Sequence, residues 1–443
     1  MKRKKALVGM SAVCTVALIA GLVACTPTSS SSDSSTDSDK ASTATSAEVP
    51  NPDNFEYGVI TADGWSEVYP NQYATYKAMG ENDGEKHDYL EVYPALKTMY
   101  AGYAFSLGYA EPNGHLDSLT DVAETPRTQE KEQNGNCITC KTPQFTAQVN
   151  SGDEAVNLEK FNDIIGNYTE PISCYSCHEN NPEEVVVPSA YWAKSIGADA
   201  TAVPVEAQTC GQCHNEYYFS GENKVATNPY EGLEAMTPEA ILAYYDEHEY
   251  KDFASNLTGA PMIKVQHPEF ETMYGGKGSY MGKLGYTCAD CHMGATKAED
   301  GTEFSNHKLQ SPLDNPELIE NVCSDCHDDL VSQVKEITDE LGDGENGRTK
   351  QVSERIELLI NTTAEKYSAE IAEFQAAADA GTAGMYAAGE LGELQRLQRV
   401  AQFYWDFAMN ENSEGAHNST LTRACLDMAE STADEGLAKL GVA

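Results

Sequence analysis

Five times in this chain two cysteines stand three positions apart: Cys137/Cys140, Cys174/Cys177, Cys210/Cys213, Cys288/Cys291 and Cys323/Cys326. Four of the pairs are followed at once by histidine, at His178, His214, His292 and His327, and the first is followed by Lys141. Histidine makes up 10 of the 443 residues, so four such placements by chance have a probability on the order of 10⁻⁷. Zinc ribbons also use paired Cys-x-x-Cys, but zinc has no need of a histidine at the next position. Cys-x-x-Cys-His is the c-type haem attachment pattern. The two thiols form thioethers with haem vinyl groups and the adjacent imidazole takes the iron. The spacing predicts five covalent haems, one of them with lysine where the others have histidine. That odd site is where chemistry, rather than electron relay, is expected.

Ten of the 13 cysteines lie in these pairs. Cys14, Cys25 and Cys425 are left over and are expected to build no disulfide framework. Five porphyrins are large apolar bodies and replace much of an ordinary core, so a mean hydropathy of −0.48 is no obstacle to folding. Between residues 57 and 327 the motifs are interspersed with turn residues and periodicity is poor, which predicts short helices and loops with little sheet. Beyond residue 330 the pattern changes. Ile356, Leu359, Ile360, Tyr367, Ile371 and Phe374 recur at helical spacing, as do Leu391, Leu394, Leu397, Val400 and Phe403. Gly381 and Gly384 mark the expected break between two long helices, which serve as core or as a subunit interface. The expected fold is mostly α, with a haem-filled core and long C-terminal helices. Cys425 reads as a buried free thiol.

Residues 1–24 read as a lipoprotein signal peptide. Lys2, Arg3, Lys4 and Lys5 form a basic start, residues 6–24 are apolar, and Leu22-Val23-Ala24-Cys25 resembles a bacterial lipobox. An exported protein follows, on the outer face of the cytoplasmic membrane or in the periplasm, held by acyl chains on Cys25 rather than by a span. An uncleaved membrane helix is the alternative. Residues 25–51, rich in Ser, Thr, Asp and Ala, read as a disordered tether. Residues 52–329 form the haem region and 330–443 the C-terminal helical region. The formal charge is −41. Loss of the four leader cations leaves 25 basic against 70 acidic residues, or −45, which excludes nucleic acid as a partner.

Further stretches are specific when taken with the lysine motif. They are Gly102-Tyr103-Ala104-Phe105, Glu111-Pro112-Asn113-Gly114-His115, Thr125-Pro126-Arg127-Thr128, Cys213-His214-Asn215-Glu216-Tyr217-Tyr218-Phe219, Lys264-Val265-Gln266-His267-Pro268, His307-Lys308-Leu309-Gln310-Ser311-Pro312, and Trp405-Asp406-Phe407 through His417. Nearly everything after the tether resembles cytochrome c nitrite reductase, the pentahaem ammonia-forming family. The resemblance implies a multihaem cytochrome c fold and six-electron reduction of nitrite to ammonium. It also implies a homodimer through the C-terminal helices and a membrane-bound multihaem quinol dehydrogenase as electron donor.

The resemblance also assigns roles. Lys141, as a neutral amine, would ligate haem 1 on one face and leave the other open. Burial beside a metal disfavours the charged amine. Arg127 would hold nitrite, His267 would deliver protons, and Tyr217 would orient intermediates. Taken singly these three have ordinary alternatives: a salt bridge, a satisfied core histidine, and packing on a porphyrin. Glu216, Gln266 and the backbone carbonyls of Tyr217 and Lys264 resemble the family's calcium site, whose hard cation wants oxygen ligands. His178, His214, His292 and His327 would be proximal ligands of haems 2 to 5. His307, His115 and His417 would be distal ligands of haems 2, 3 and 4.

The chain departs from the pattern at one position. The family has a histidine seven residues before the fourth motif, where this chain has Met281. Met281 is expected to ligate haem 5, and thioether ligation raises the potential. A five-coordinate haem 5, or a ligand from His87 or His248, are the competing readings. Two functions stand against nitrite reduction: a pure electron carrier, and a related reductase preferring hydroxylamine or sulfite.

Overall fold

In this computed structural model the described residues are 45–81, 86–344 and 346–442. The leader, Cys14, Cys25 and the tether up to residue 44 lie outside them. Short helices and loops make up the region before residue 328. Among the described residues the strands form three two-stranded antiparallel hairpins. These are β1 (Tyr218–Ser220) with β2 (Val225–Thr227), β3 (Phe253–Ala254) with β4 (Pro261–Met262), and β5 (Ala295–Lys297) with β6 (Glu303–Ser305).

Four short helices position chemistry: α1 (Cys174–His178), α2 (Val205–Gly211), α3 (Pro238–Glu247) and α4 (Cys288–His292). Helices of five residues are too short to persist by propagation alone. α1 and α4 each start with a capping box, Ser173 with Ser176 and Thr287 with Asp290, which satisfies orphan N–H groups at the helix start. One helical turn also puts residues three apart on one face, so both thiols of such a motif reach the same side. The lysine motif is built differently. It follows a 3₁₀ turn, Gly135–Ile138, and Cys140 has φ 61. No other described motif cysteine has positive φ, a conformation that costs an L-residue about 1–2 kcal/mol.

The fifth motif is built differently from the second and fourth. It makes a 3₁₀ turn, Cys323–Asp325, which ends before Cys326. Cys326 is exposed, while the nine other motif cysteines are half-buried.

The C-terminal region is helical: α5 (Leu330–Leu341), α6 (Arg348–Lys366), α7 (Ser368–Asp379), α8 (Gly389–Met409) and α9 (Ser419–Leu440). α6 buries Val352, Ile356, Leu359, Ile360 and Thr363 along one stripe. The second half of α8 is buried almost all round, as suits a helix enclosed by the core. Trp405 on α8 is fully buried, donates from Nε1 to the Thr349 carbonyl at 2.7 Å, and meets the Tyr93 ring edge-on at 5.6 Å. It ties the C-terminal helices to the N-terminal part of the haem region. α9 comes close to α6 through Gly436, where a Cβ would lie 2.6 Å from a Leu359 methyl.

The helical spacing from Ile356 to Phe374 suggests one helix, but the structure has two, because the backbone leaves helical geometry at Tyr367 (φ −114, ψ 25). The break around Gly381 and Gly384 falls between α7 and α8, as expected. α9 lies within the region expected to be helical, but no apolar periodicity marked it. Much of its buried face is Ala429, Thr432, Ala433 and Gly436, and small residues leave little hydrophobic signal. Cys425 is buried on α9 and free. The loop from α8 to α9 bends sharply, with positive φ at Asn412, Glu414 and Gly415.

Candidate functional site: a multihaem centre around the lysine motif

The fold brings the histidines together in pairs. Ring centres lie 6.4 Å apart for His178 and His307, 6.2 Å for His115 and His214, and 6.2 Å for His292 and His417. Two imidazoles on opposite faces of one metal, each bonded at about 2 Å, put their ring centres roughly 6 Å apart. These are the pairs expected on haems 2, 3 and 4.

The far side of each ring supports the same use. Nδ1 of His178 lies 2.7 Å from the Glu184 carbonyl, that of His307 2.8 Å from Ser305 O, and that of His292 3.1 Å from Gln310 O. His327 Nδ1 meets Gln333 Oε1 at 2.8 Å, His214 Nδ1 meets Glu269 at 3.3 Å, and His417 Nδ1 meets Glu411 at 3.2 Å. A proton donated from Nδ1 leaves the Nε2 lone pair for a metal, with the ring orientation fixed. Burial also lowers the pKa of His115 to about 4, with His214 and Lys141 adding to it, which keeps the ring in its neutral, ligating form. The residues of the first four motifs therefore fit c-type haems. The fifth offers Cys323, Cys326 and His327, with Cys323 half-buried and Cys326 exposed.

The attachment cysteines also line up. Cys140 of the first motif lies within interaction range of Cys213 of the third, and Cys210 of the third within that of Cys288 of the fourth. Cys177 lies within electrostatic reach of Cys210, and Cys291 within reach of Cys323. The third motif is thus flanked by the first, second and fourth, and the fifth follows the fourth.

Around the lysine motif, four sequence-predicted residues converge. Arg127 and Lys141 both act on Cys137. Tyr217 is within reach of Cys137 and Cys140, and Lys141 acts on His267. Arg127 donates from Nη1 to the Gly108 carbonyl at 2.7 Å, and its guanidinium stands 4.3 Å from the Phe105 ring centre. Burial pushes the pKa of Tyr217 well up, so it stays a phenol. Burial also pushes His267 down to about 3, which keeps it neutral. The Lys141 carbonyl is held by Ser118 Oγ at 2.7 Å.

The expected calcium ligands are neighbours. Glu216 is fully buried and accepts from Tyr245 of α3 at 2.8 Å and from the Gln266 N–H at 2.5 Å. The Gln266 amide donates to the Lys264 carbonyl at 2.9 Å. Burial, with Glu271 and Asp252 nearby, raises the Glu216 carboxyl well above the usual range, so a cation is the natural partner for its ionised form. The Lys264 amine turns away from this cluster to Asn410 Oδ1 at 2.9 Å and Tyr109 Oη at 3.1 Å, which leaves only its carbonyl for a metal. The donor set fits a hard cation.

The expected Met281 ligand is on a short helix, Tyr280–Lys283, half-buried, with its carbonyl bonded to Leu284 and Tyr286. The competing histidines are otherwise held: His87 pairs with Asp343 at 2.9 Å, and His248 bonds the Tyr244 carbonyl and stacks on that ring at 4.1 Å. Sequence reasoning missed Glu269, Glu411, Asn412, Tyr245 and Asp252. Apart from Glu269, two positions after His267, no spacing signal links them to the motifs; they meet the ligands only in space.

A cytochrome c552 family model matches residues 61–443. A cytochrome c-552 of Bacteroides fragilis is 30% identical over 381 residues, covering 80% of this chain and 71% of the relative. The cytochrome c nitrite reductase subunit NrfA of Nitratidesulfovibrio vulgaris is 31% identical over 401 residues, covering 79% and 72%. The solved cytochrome c nitrite reductase of Desulfovibrio desulfuricans, whose catalytic subunit has two calcium sites, shares the fold at a TM-score of 0.68 and 24% identity, covering 87% of this chain and 86% of that one. With its lysine motif, its paired imidazoles and this match over nearly all of the described residues, the chain belongs to the cytochrome c552 family.

Proposed function

We propose that this chain reduces nitrite to ammonium, taking up six electrons at a haem held by Cys137, Cys140 and Lys141, as a step of dissimilatory nitrate/nitrite reduction to ammonium. The observation that carries the reading is the convergence of Arg127, Tyr217 and His267 on the one motif that ends in lysine. The cytochrome c nitrite reductase subunit among its relatives supports it. A haem held there by Cys137, Cys140 and Lys141 would supply the redox-active iron at which nitrite is reduced.

The chain's residues do the rest. Arg127 holds the anion through guanidinium N–H donors and stabilises charge as N–O bonds weaken. His267 and Tyr217, both neutral, hydrogen-bond the substrate oxygens and donate protons as water leaves. His178/His307, His214/His115, His292/His417 and His327 would hold four further haems, whose chemistry is electron transfer. Cys323 and Cys326 would attach the last of them, and Met281 would be its second ligand. Glu216, Gln266 and the carbonyls of Tyr217 and Lys264 would hold one calcium ion, next to Tyr217 and His267.

The chain is exported and anchored at Cys25, and a membrane-bound multihaem quinol dehydrogenase feeds it. No described helix is long and apolar enough to cross a membrane. Leu358 on α6 and Met428 on α9 are exposed, which suits a homodimer through these helices. The test is ammonium formed per nitrite consumed by the reduced holoprotein. One ammonium per nitrite is expected, with loss of rate in Lys141→His. Electron transfer without ammonium would leave only a carrier.

A further inference from the structure

The loop from α8 to α9 reaches two centres at once. Asn412 Nδ2 donates to Glu269 Oε1 at 2.8 Å and lies 3.3 Å from His267 Nδ1. The carboxylate contact identifies that atom as the amide nitrogen, because a carboxylate only accepts. His267 Nδ1 is then an acceptor, and the neutral ring keeps its proton on Nε2. Glu269 Oε1 also holds Nδ1 of His214, the proximal imidazole of the third motif. One unbroken set of side chains runs from His267 through Asn412 and Glu269 to His214.

This connection is particular to one haem. Of the six ligand imidazoles with a partner at Nδ1, four bond carbonyl or amide oxygens, and only His214 and His417 bond carboxylates. Glu411, the partner of His417, bonds within its own loop, to Ser413 and to the Gly415 N–H. Only Glu269 also leads into the lysine-motif pocket.

We infer that Asn412 is a positioning residue shared by two centres: it fixes the tautomer of His267 and draws charge from the carboxylate that tunes haem 3. The inference rests on the proposed role of His267. A carboxylate at Nδ1 gives an imidazole more anionic character and lowers the potential of the iron it holds. The amide of Asn412 competes for the same oxygen. Its removal strengthens the pull of Glu269 on His214, and it frees the His267 ring.

Asn412 has φ 57, so Asn412→Gly removes the amide without backbone strain. Asn412→Asp keeps the size and tolerates the same geometry. The experiment is a redox titration of the holoprotein followed by electron paramagnetic resonance, which resolves the haems, together with steady-state kinetics on nitrite. In both variants the haem 3 potential should fall while haems 2 and 4 keep theirs. Turnover should drop about 10–100-fold, the usual cost of losing such an outer partner, with KM for nitrite unchanged. Glu269→Gln should raise the haem 3 potential. A haem 3 potential that stays put in all three variants, or that moves together with haems 2 and 4 at full haem content, overturns the inference. If the wild type makes no ammonium from nitrite, the functional reading fails, and the potentials still decide the bridge.

Discussion

Arg127→Gln tests the pocket most directly. One of the five N–H donors of Arg127 is used on the Gly108 carbonyl at 2.7 Å, which leaves the others for an anion. Two hydrogen bonds to a charged substrate, at about 1.5–3 kcal/mol each, sum to about 3–6 kcal/mol. At about 1.4 kcal/mol per decade that is roughly a 10²–10⁴-fold loss in kcat/KM. Glutamine restores one neutral bond, so the expected loss lies near the lower end, about 10²–10³. Arg127→Lys keeps the charge and loses the fork, and its loss should be smaller than that of Arg127→Gln. A structural cost accompanies Arg127→Gln, since the Gly108 carbonyl loses its charged donor and Phe105 the cation over its ring at 4.3 Å. That cost is about 1–3 kcal/mol and appears in Tm rather than in kcat/KM. The assay is steady-state nitrite reduction at matched haem content. If kcat/KM of Arg127→Gln stays within about fivefold of wild type, the guanidinium does not hold the reacting anion and the pocket has been misread.

Burial raises the Asp406 carboxyl from 3.8 to about 7. Between those values the folded state keeps a proton that the unfolded chain has lost, so stability falls as pH rises from about 4 to 7. Asp406→Asn keeps the acceptor for Tyr100 and should flatten that slope in Tm against pH. An unchanged slope would assign it to other groups. Oxidised wild type should show a sulfur-to-iron charge-transfer band that disappears in Met281→Ala, and Met281→His should lower the haem 5 potential. A wild type lacking the band has no thioether ligand. Removing calcium with a chelator should lower turnover and Tm together, and calcium should restore both. A ligand at 100 times its Kd contributes about 2.7 kcal/mol, so unchanged Tm would exclude a resident cation at Glu216.

Much of the site could be read from local spacing because haem attachment is a local code. Two thiols and an imidazole must lie within one or two helical turns, so Cys174, Cys177 and His178 declare themselves in the sequence. The long helices α6 and α8 showed through the repeat of Ile356, Leu359 and Ile360 and of Leu391 and Leu394, since a stripe of large apolar residues has a period. α9 did not, because close packing on Leu359 requires Gly436 and alanines, which carry almost no hydrophobic contrast. The break at Tyr367 was also hidden, because nothing local there forbids a helix.

The chain order alone determined how many attachment motifs there are, which one differs, and that the fold must be organised around them. Only the tertiary structure decided how far apart the paired imidazoles stand, how Glu269 and Glu411 come to meet His214 and His417, and that Asn412 spans two centres. The physical reason is range. Covalent attachment and helix periodicity act over a few residues, whereas His292 and His417, or Asn412 and His267, meet only after α8 has packed and its terminal loop has turned back through three positive φ angles.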